Sequence, residues 1–185
     1  MSQLSATQHS IVRGTLKTFS SIPSVSGLSA SGPEVIDSAI RRLTLSFSSV
    51  SFTLTDNGTN GSGSLKILDF GEGLVLVLGA QCNLTYAYGS VTDANLISAL
   101  GTTAANADGD LADSNEANIV PSTATASSSG VATFNAGSTA VAFLQGQATA
   151  ADLYLNIATS TDPSTNNTIL VSGTIDILYT FIGDR

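Results

Sequence analysis

Few residues in this 185-residue chain could perform covalent or metal chemistry, and those few are scattered. There is one histidine, His9, and one cysteine, Cys82. A serine-type triad needs a histidine held between a nucleophile and an acid, and nothing in the sequence fixes such partners around His9. A zinc site needs several His or Cys ligands, which the chain does not own. Cys82 stands between a core-like strand and a tyrosine pair with no base nearby. It reads as a small buried hydrophobe, not as a reactive thiol, and a lone cysteine rules out an internal disulfide.

Two stretches invite a ligand at first sight. Asp108, Asp110, Asp113 and Glu116 are spaced somewhat like a calcium loop, but Ala112 sits where a further ligand should be and Asp113 replaces the turn glycine. A solvated loop face accounts for them better. The second stretch, FGEGLVLVLGA at 70–80, opens like a phosphate-binding loop. It lacks the lysine and the following helix, and Glu72 would repel phosphate, so Gly71–Gly73 reads as a turn into a strand. That strand, Leu74 to Leu78, is apolar on both sides and must be covered on both. A pair of carboxylates for glycoside cleavage is not readable from sequence, and aromatic platforms for sugar are scarce, since the chain has no Trp and 6% aromatics.

Charge is distributed unevenly. Asp, Glu, Lys and Arg make up 11% of the chain, against about 25% in an ordinary soluble domain, so solubility rests on Ser, Thr, Asn and Gly. The net charge is −8, yet Arg13, Lys17, Arg41, Arg42 and Lys66 all lie in roughly the first third, and no Lys or Arg occurs between Lys66 and Arg185. A nucleic-acid surface needs clustered basic residues, so nucleic acid is not an expected partner. The opening MSQLSATQHSIVRGTLKTFSS lacks the pattern of a signal peptide, and no run approaches the roughly 18 apolar residues of a membrane span. The expectation is a chain made in the cytoplasm and not inserted in a membrane.

The elements that must position any site are strands. Leu43, Leu45 and Phe47 alternate with polar residues, then the parity flips to Val50, Phe52 and Leu54, which predicts a β-bulge or break at Ser48-Ser49. DNGTNGSGS at 56–64 is hairpin-turn chemistry, returning through Leu65–Leu68. Further strands are predicted at 83–88, 131–134, 140–144, 152–158 and 169–182, the last with Ile169, Val171, Ile175, Ile177, Tyr179 and Phe181 on one face. PEVIDSAIRRL at 33–43 could be strand or short helix, and Ala94 to Leu100, capped by Asp93, is the best helical candidate. Residues 101–130 read as a long surface excursion with about one helical turn. Residues 1–32 form an extended arm before a single domain at 33–185. The arm is either an idle tail or a segment that orders on a partner, and Ile11, Val12, Leu16 and Phe19 make it apolar. Strands at short spacing with Gly/Asn turns indicate an all-β sandwich of jelly-roll type, with at most one or two short helices.

Four segments carry a resemblance: SAIRRLTLSF, LKILDFGEGLVLVLGAQCNLT, ALGTTAANADGDLADSNEANIVPST, and DLYLNIATSTDPSTNNTILVSGTIDILYTFIGDR. Their order and spacing resemble a family of tailed-bacteriophage virion proteins, the capsid decoration or cement proteins, from about Ser38 to Arg185. The resemblance implies no enzyme and no cofactor. It implies a structural protein on the outer capsid surface that bridges subunits of the major capsid protein and forms a homo-oligomer, with trimers favoured over dimers. The expected contact residues are Ile11, Val12, Arg13, Leu16, Lys17 and Phe19 in the arm. Alternatives are a head-fibre base or tail-associated virion protein and, from a different class, a carbohydrate-binding β-sandwich module.

Overall fold

The computed structural model describes residues 23–35, 40–70, 73–88, 96–113, 115–128, 131–138, 142–146 and 152–183. All regular structure among them is strand. In chain order the strands are β1 (Leu28–Val35), β2 (Arg41–Asp56), β3 (Gly61–Asp69), β4 (Gly73–Tyr88), β5 (Leu96–Gly101), β6 (Val120–Ala124), β7 (Ala126–Ser128), β8 (Val131–Gly137), β9 (Ala142–Gly146), β10 (Asp152–Thr159) and β11 (Asn167–Gly183).

Every pairing is antiparallel, and the pairs are nested. β2 pairs β11, β3 pairs β10, β4 pairs β8 and β9, and β5 pairs β6. The chain is in effect one long hairpin. It then rolls up so that β11 also pairs β4 and β10 also pairs β5. The result is two sheets, β2-β11-β4-β8 (sheet A) and β3-β10-β5-β6 (sheet B), which is the strand order of a jelly roll. β2 joins the sheets at one side, where Thr55 and Asp56 pair with Ser62 and Gly61. At the other side only Thr125 separates β6 from β7; its amide and hydroxyl both donate to the Leu96 carbonyl at 2.8 Å.

The predicted parity flip in β2 is a real bulge. Leu43, Leu45 and Phe47, then Val50, Phe52 and Leu54, all face the core, and the register with β11 slips between Val171 and Gly173. Ser49 takes a positive φ of 52° there, and its amide donates to the Ser172 hydroxyl at 3.1 Å. β4 holds a second bulge, at Leu78. Val75 and Val77 point inward before it, and Ala80, Cys82, Leu84 and Tyr86 after it. The core between the sheets is completed by Leu153, Leu155 and Ile157 of β10 and Ile169, Val171, Ile175 and Ile177 of β11. Each such side chain contributes about 1.5–3 kcal/mol by leaving water.

Several expectations need correction. Residues 96–100 are strand, not helix. Leu96 and Leu100 face the sandwich core, while Ala99 faces a second small cluster with Leu111 and Ala158. A strand covered on both sides mimics helical spacing. Asp93, the predicted cap, lies outside the described residues. The helical option over 33–43 also fails where it is described, because 33–35 and 41–43 are strand. The arm stops earlier than residue 32, since β1 begins at Leu28 and pairs with β2 from Phe47 to Arg41. The excursion is shorter too: irregular chain runs from 102 to 119, without helix among its described residues, and β6 and β7 follow.

Candidate interaction surface

The outer face of sheet A is built from residues that alternate with the core. Across it run rows set by register: Ser46, Thr174, Asn83 and Asn135; then Ser172, Thr85 and Thr133; then Ser51, Leu170, Ala87 and Val131. Leu170 and Val131 are 41% and 44% exposed. Among the described residues of β2, β11, β4 and β8, Arg42 and Asp176 are the only charged side chains on this face, and they neutralise each other; Glu34 of the flanking β1 is the register partner of Arg42. Arg42 Nη2 lies 2.9 Å from Asp176 Oδ1, and the Thr44 hydroxyl donates to the same oxygen.

Beside that pair the face dips into an open groove of about 520 Å³, walled by Leu78, Gly79, Gln81, Gly137, Ser138, Asp176 and Leu178. The bulge at Leu78 and the missing side chains of Gly79 and Gly137 make the dip. Leu76 and Leu78, the second side of the run at 74–78, are half-buried here, and Leu178 beside them is 37% exposed. Part of that side therefore remains open.

The outer face of sheet B is closed by the excursion at 102–119. Asn156, fully buried on β10, is its clamp. Its Oδ1 accepts from Ser64 Oγ (2.7 Å) and the Ala105 amide (3.1 Å), and its Nδ2 donates to the carbonyls of Thr103 (2.9 Å) and Glu116 (2.8 Å). The acidic stretch is explained by the loop itself. Asn106, Asp108 and Asp110 each accept the backbone N–H two residues on, a run of Asx turns. Among the described residues no three acidic, His or Cys side chains are grouped to hold a metal.

Glu116 is the exception in that loop, being only 2% exposed. Its Oε1 accepts from the Asn106 amide at 2.6 Å, and its buried Oε2 has no hydrogen-bond partner among the described residues. Burial, with smaller contributions from Asp108 and Asp113, raises its pKa above the ordinary 4.5. The folded state thus binds this proton more tightly than the unfolded chain. The associated stability is present at low pH and is lost as pH rises through the raised value. Glu116→Gln removes that titration, so its melting temperature relative to wild type should be higher at about pH 7.5 than at about pH 4. A difference between the two proteins that does not move with pH would mean the carboxyl ionises without cost.

The remaining candidates from the sequence carry no chemistry where they are described. Cys82 is buried, and desolvation pushes its thiol up to about 12, so it is inert. Lys66, Asp69, Asp152 and Tyr154 form a partly exposed ion cluster joining β3 to β10, with Lys66 Nζ 2.6 Å from Asp152. Ile11, Val12, Arg13, Leu16, Lys17, Phe19 and His9 lie outside the described residues, as does Glu72. Sequence reasoning missed Asn156, because a polar residue on a strand's outward face reads as solvated. Only the loop packed over it reveals the clamp.

The class these features define is a jelly roll with one face covered by its own loop and one broad neutral face open. No protein-family model matches the chain, and no curated protein matches it. Among solved structures, the enzymatically active domain of tailspike protein 4 of bacteriophage CBA120 aligns at 14% identity over 89% of this chain and 18% of that one. The TM-score is 0.22, too low to establish a shared fold.

Proposed function

We propose that this protein is a structural component of a phage virion that decorates the capsid from outside and stabilises it by bridging subunits of the major capsid protein. The observation that carries the reading is the open four-strand face of sheet A. It is broad and carries few charges, and depletion of charge marks the centre of a protein–protein interface. A small-molecule site would be a deep, mostly enclosed pocket. The resemblance of four segments to capsid decoration proteins supports the same reading. The protein acts by binding, without a catalytic step. A ligand that binds only the assembled shell stabilises it by mass action.

The arm is assigned to the capsid contact. Residues 1–22 contain Arg13 and Lys17 and no acidic residue, whereas the rest of the chain carries fourteen acidic against four basic residues. The chain enters the fold at the edge of sheet A, where the Ser48 amide donates to the Gly27 carbonyl at 2.9 Å. A deletion must stop at residue 22, because going on to 32 would strip most of β1 from β2. The 1–22 deletion should melt as the full chain does yet fail to sediment with capsids. Undiminished occupancy on capsids would overturn the role of the arm.

A further inference from the structure

We infer that the neutral face of sheet A is occupied by the same face of a second copy of this chain, forming a two-fold dimer. The inference rests on the reading of that face as a protein-binding surface and names its partner, leaving the capsid contact to the arm.

Electrostatics single out the face. Without Arg13 and Lys17, the fourteen acidic and four basic residues of the remaining chain sum to −10, so two bodies repel at most approaches. The covered side of sheet B presents Asp108, Asp110 and Asp113 to solvent, and the β3–β10 edge presents Asp69 and Asp152. The outer face of sheet A presents one neutralised pair, Arg42 and Asp176, at one end. It is the broad surface where two copies meet with the fewest carboxylates, Asp176 held in its ion pair and Glu34 at the β1 margin.

Size agrees. β11 pairs β2 from Asn167 to Tyr179, and the face is four strands wide, with β8 beside one half of β4 and β9 beside the other. At about 3.3 Å per residue and 4.8 Å per strand this is on the order of 800 Å², about what each partner gives to a standard interface. Three of the strand edges are poor competitors: β6 contains Pro121, β1 contains Pro33, and β7 spans three residues. A face that meets itself gives an isologous two-fold contact, in place of the trimer expected from the resemblance. Leu170, Ala87 and Val131 then form an apolar row that is covered in the dimer.

The test is sedimentation equilibrium of the full chain at several salt concentrations. Wild type should sediment as a dimer at low micromolar concentration, and the dimer should tighten with added salt as long-range repulsion is screened. With far-UV circular dichroism still that of the folded wild type, Thr85→Glu, and independently Thr133→Glu, should weaken dimerisation by about tenfold or more. Ser160→Glu, an equal charge on an exposed turn elsewhere, should leave it unchanged. A wild-type monomer or trimer, or a dimer indifferent to both face variants, overturns the proposal. Capsid co-sedimentation separates this from the broader reading. A wild-type monomer that still binds capsids overturns the dimer alone, whereas a dimer that ignores capsids upholds this interface and removes the decoration role.

Discussion

Gly173→Ala should cost about 3 kcal/mol or more and lower the melting temperature by roughly 6–12 °C. Gly173 sits in the middle of β11, opposite Phe47 of β2 and Leu84 of β4, with φ of 124°. A β-carbon there would lie 2.2 Å from the Asn83 carbonyl oxygen and 3.1 Å from the Leu84 Cα. Both are backbone atoms of the neighbouring strand, so no side chain can swing aside. The strained φ adds to the clash. The position matters because β11 holds β2 and β4 together on sheet A, and the bulge at Ser48-Ser49 is accommodated beside it. With total stabilities of about 5–15 kcal/mol, such a loss leaves the fold marginal. A urea titration showing less than about 1 kcal/mol of change would mean the bulge is not held as described.

Asn156→Ala should have the second large effect, about 3 kcal/mol, with a local signature. The variant leaves the Thr103 and Glu116 carbonyls facing a gap, and the Ala105 amide keeps only its 2.7 Å bond to Ser64 Oγ. Buried polar groups without partners cost about 1–3 kcal/mol each, so the excursion should lift into water sooner than stay unpaired. Hydrogen exchange should therefore accelerate across 102–119 while β2, β4 and β11 keep their protection. Uniform acceleration over both sheets would show that the loop is part of the global cooperative unit, contrary to a separable cover. Asn156→Asp should do no better than alanine, since it removes both donors and sets a carboxylate near Glu116.

The part of this architecture written in local pattern was legible. In β2 the switch from Leu43, Leu45, Phe47 to Val50, Phe52, Leu54 is a one-residue slip, and only a bulge keeps both sets in the core. The alternation of β11 and the Asn-Gly turn before β3 were equally direct. What failed was β5, a strand with two covered sides. Leu96 to Leu100 is wrapped by the sandwich core and by the excursion, so its apolar residues lose period 2 and imitate a helix. β6 and β7 were lost inside a small, polar stretch because strand pairing, not side-chain pattern, creates them. In the run at 74–78 the inward half, Val75 and Val77, is fully buried, whereas Leu76 and Leu78, expected to be covered as well, are only half-covered.

The candidate surface was legible in kind but not in place. Low charge was visible in composition, and so was the crowding of basic residues toward the start of the chain. Which Ser, Thr and Asn residues share one face depends on the registers of four strands distant in sequence. Arg42 and Asp176, which meet at the end of that face, are 134 residues apart.

Electron cryomicroscopy of the phage particle tests whether this chain decorates the outside of a capsid. The proposed role puts jelly-roll density on the outer surface at junctions between major capsid protein subunits, repeated in proportion to those subunits. Density confined to the tail or to a single vertex, or absence of the chain from the particle, would contradict it.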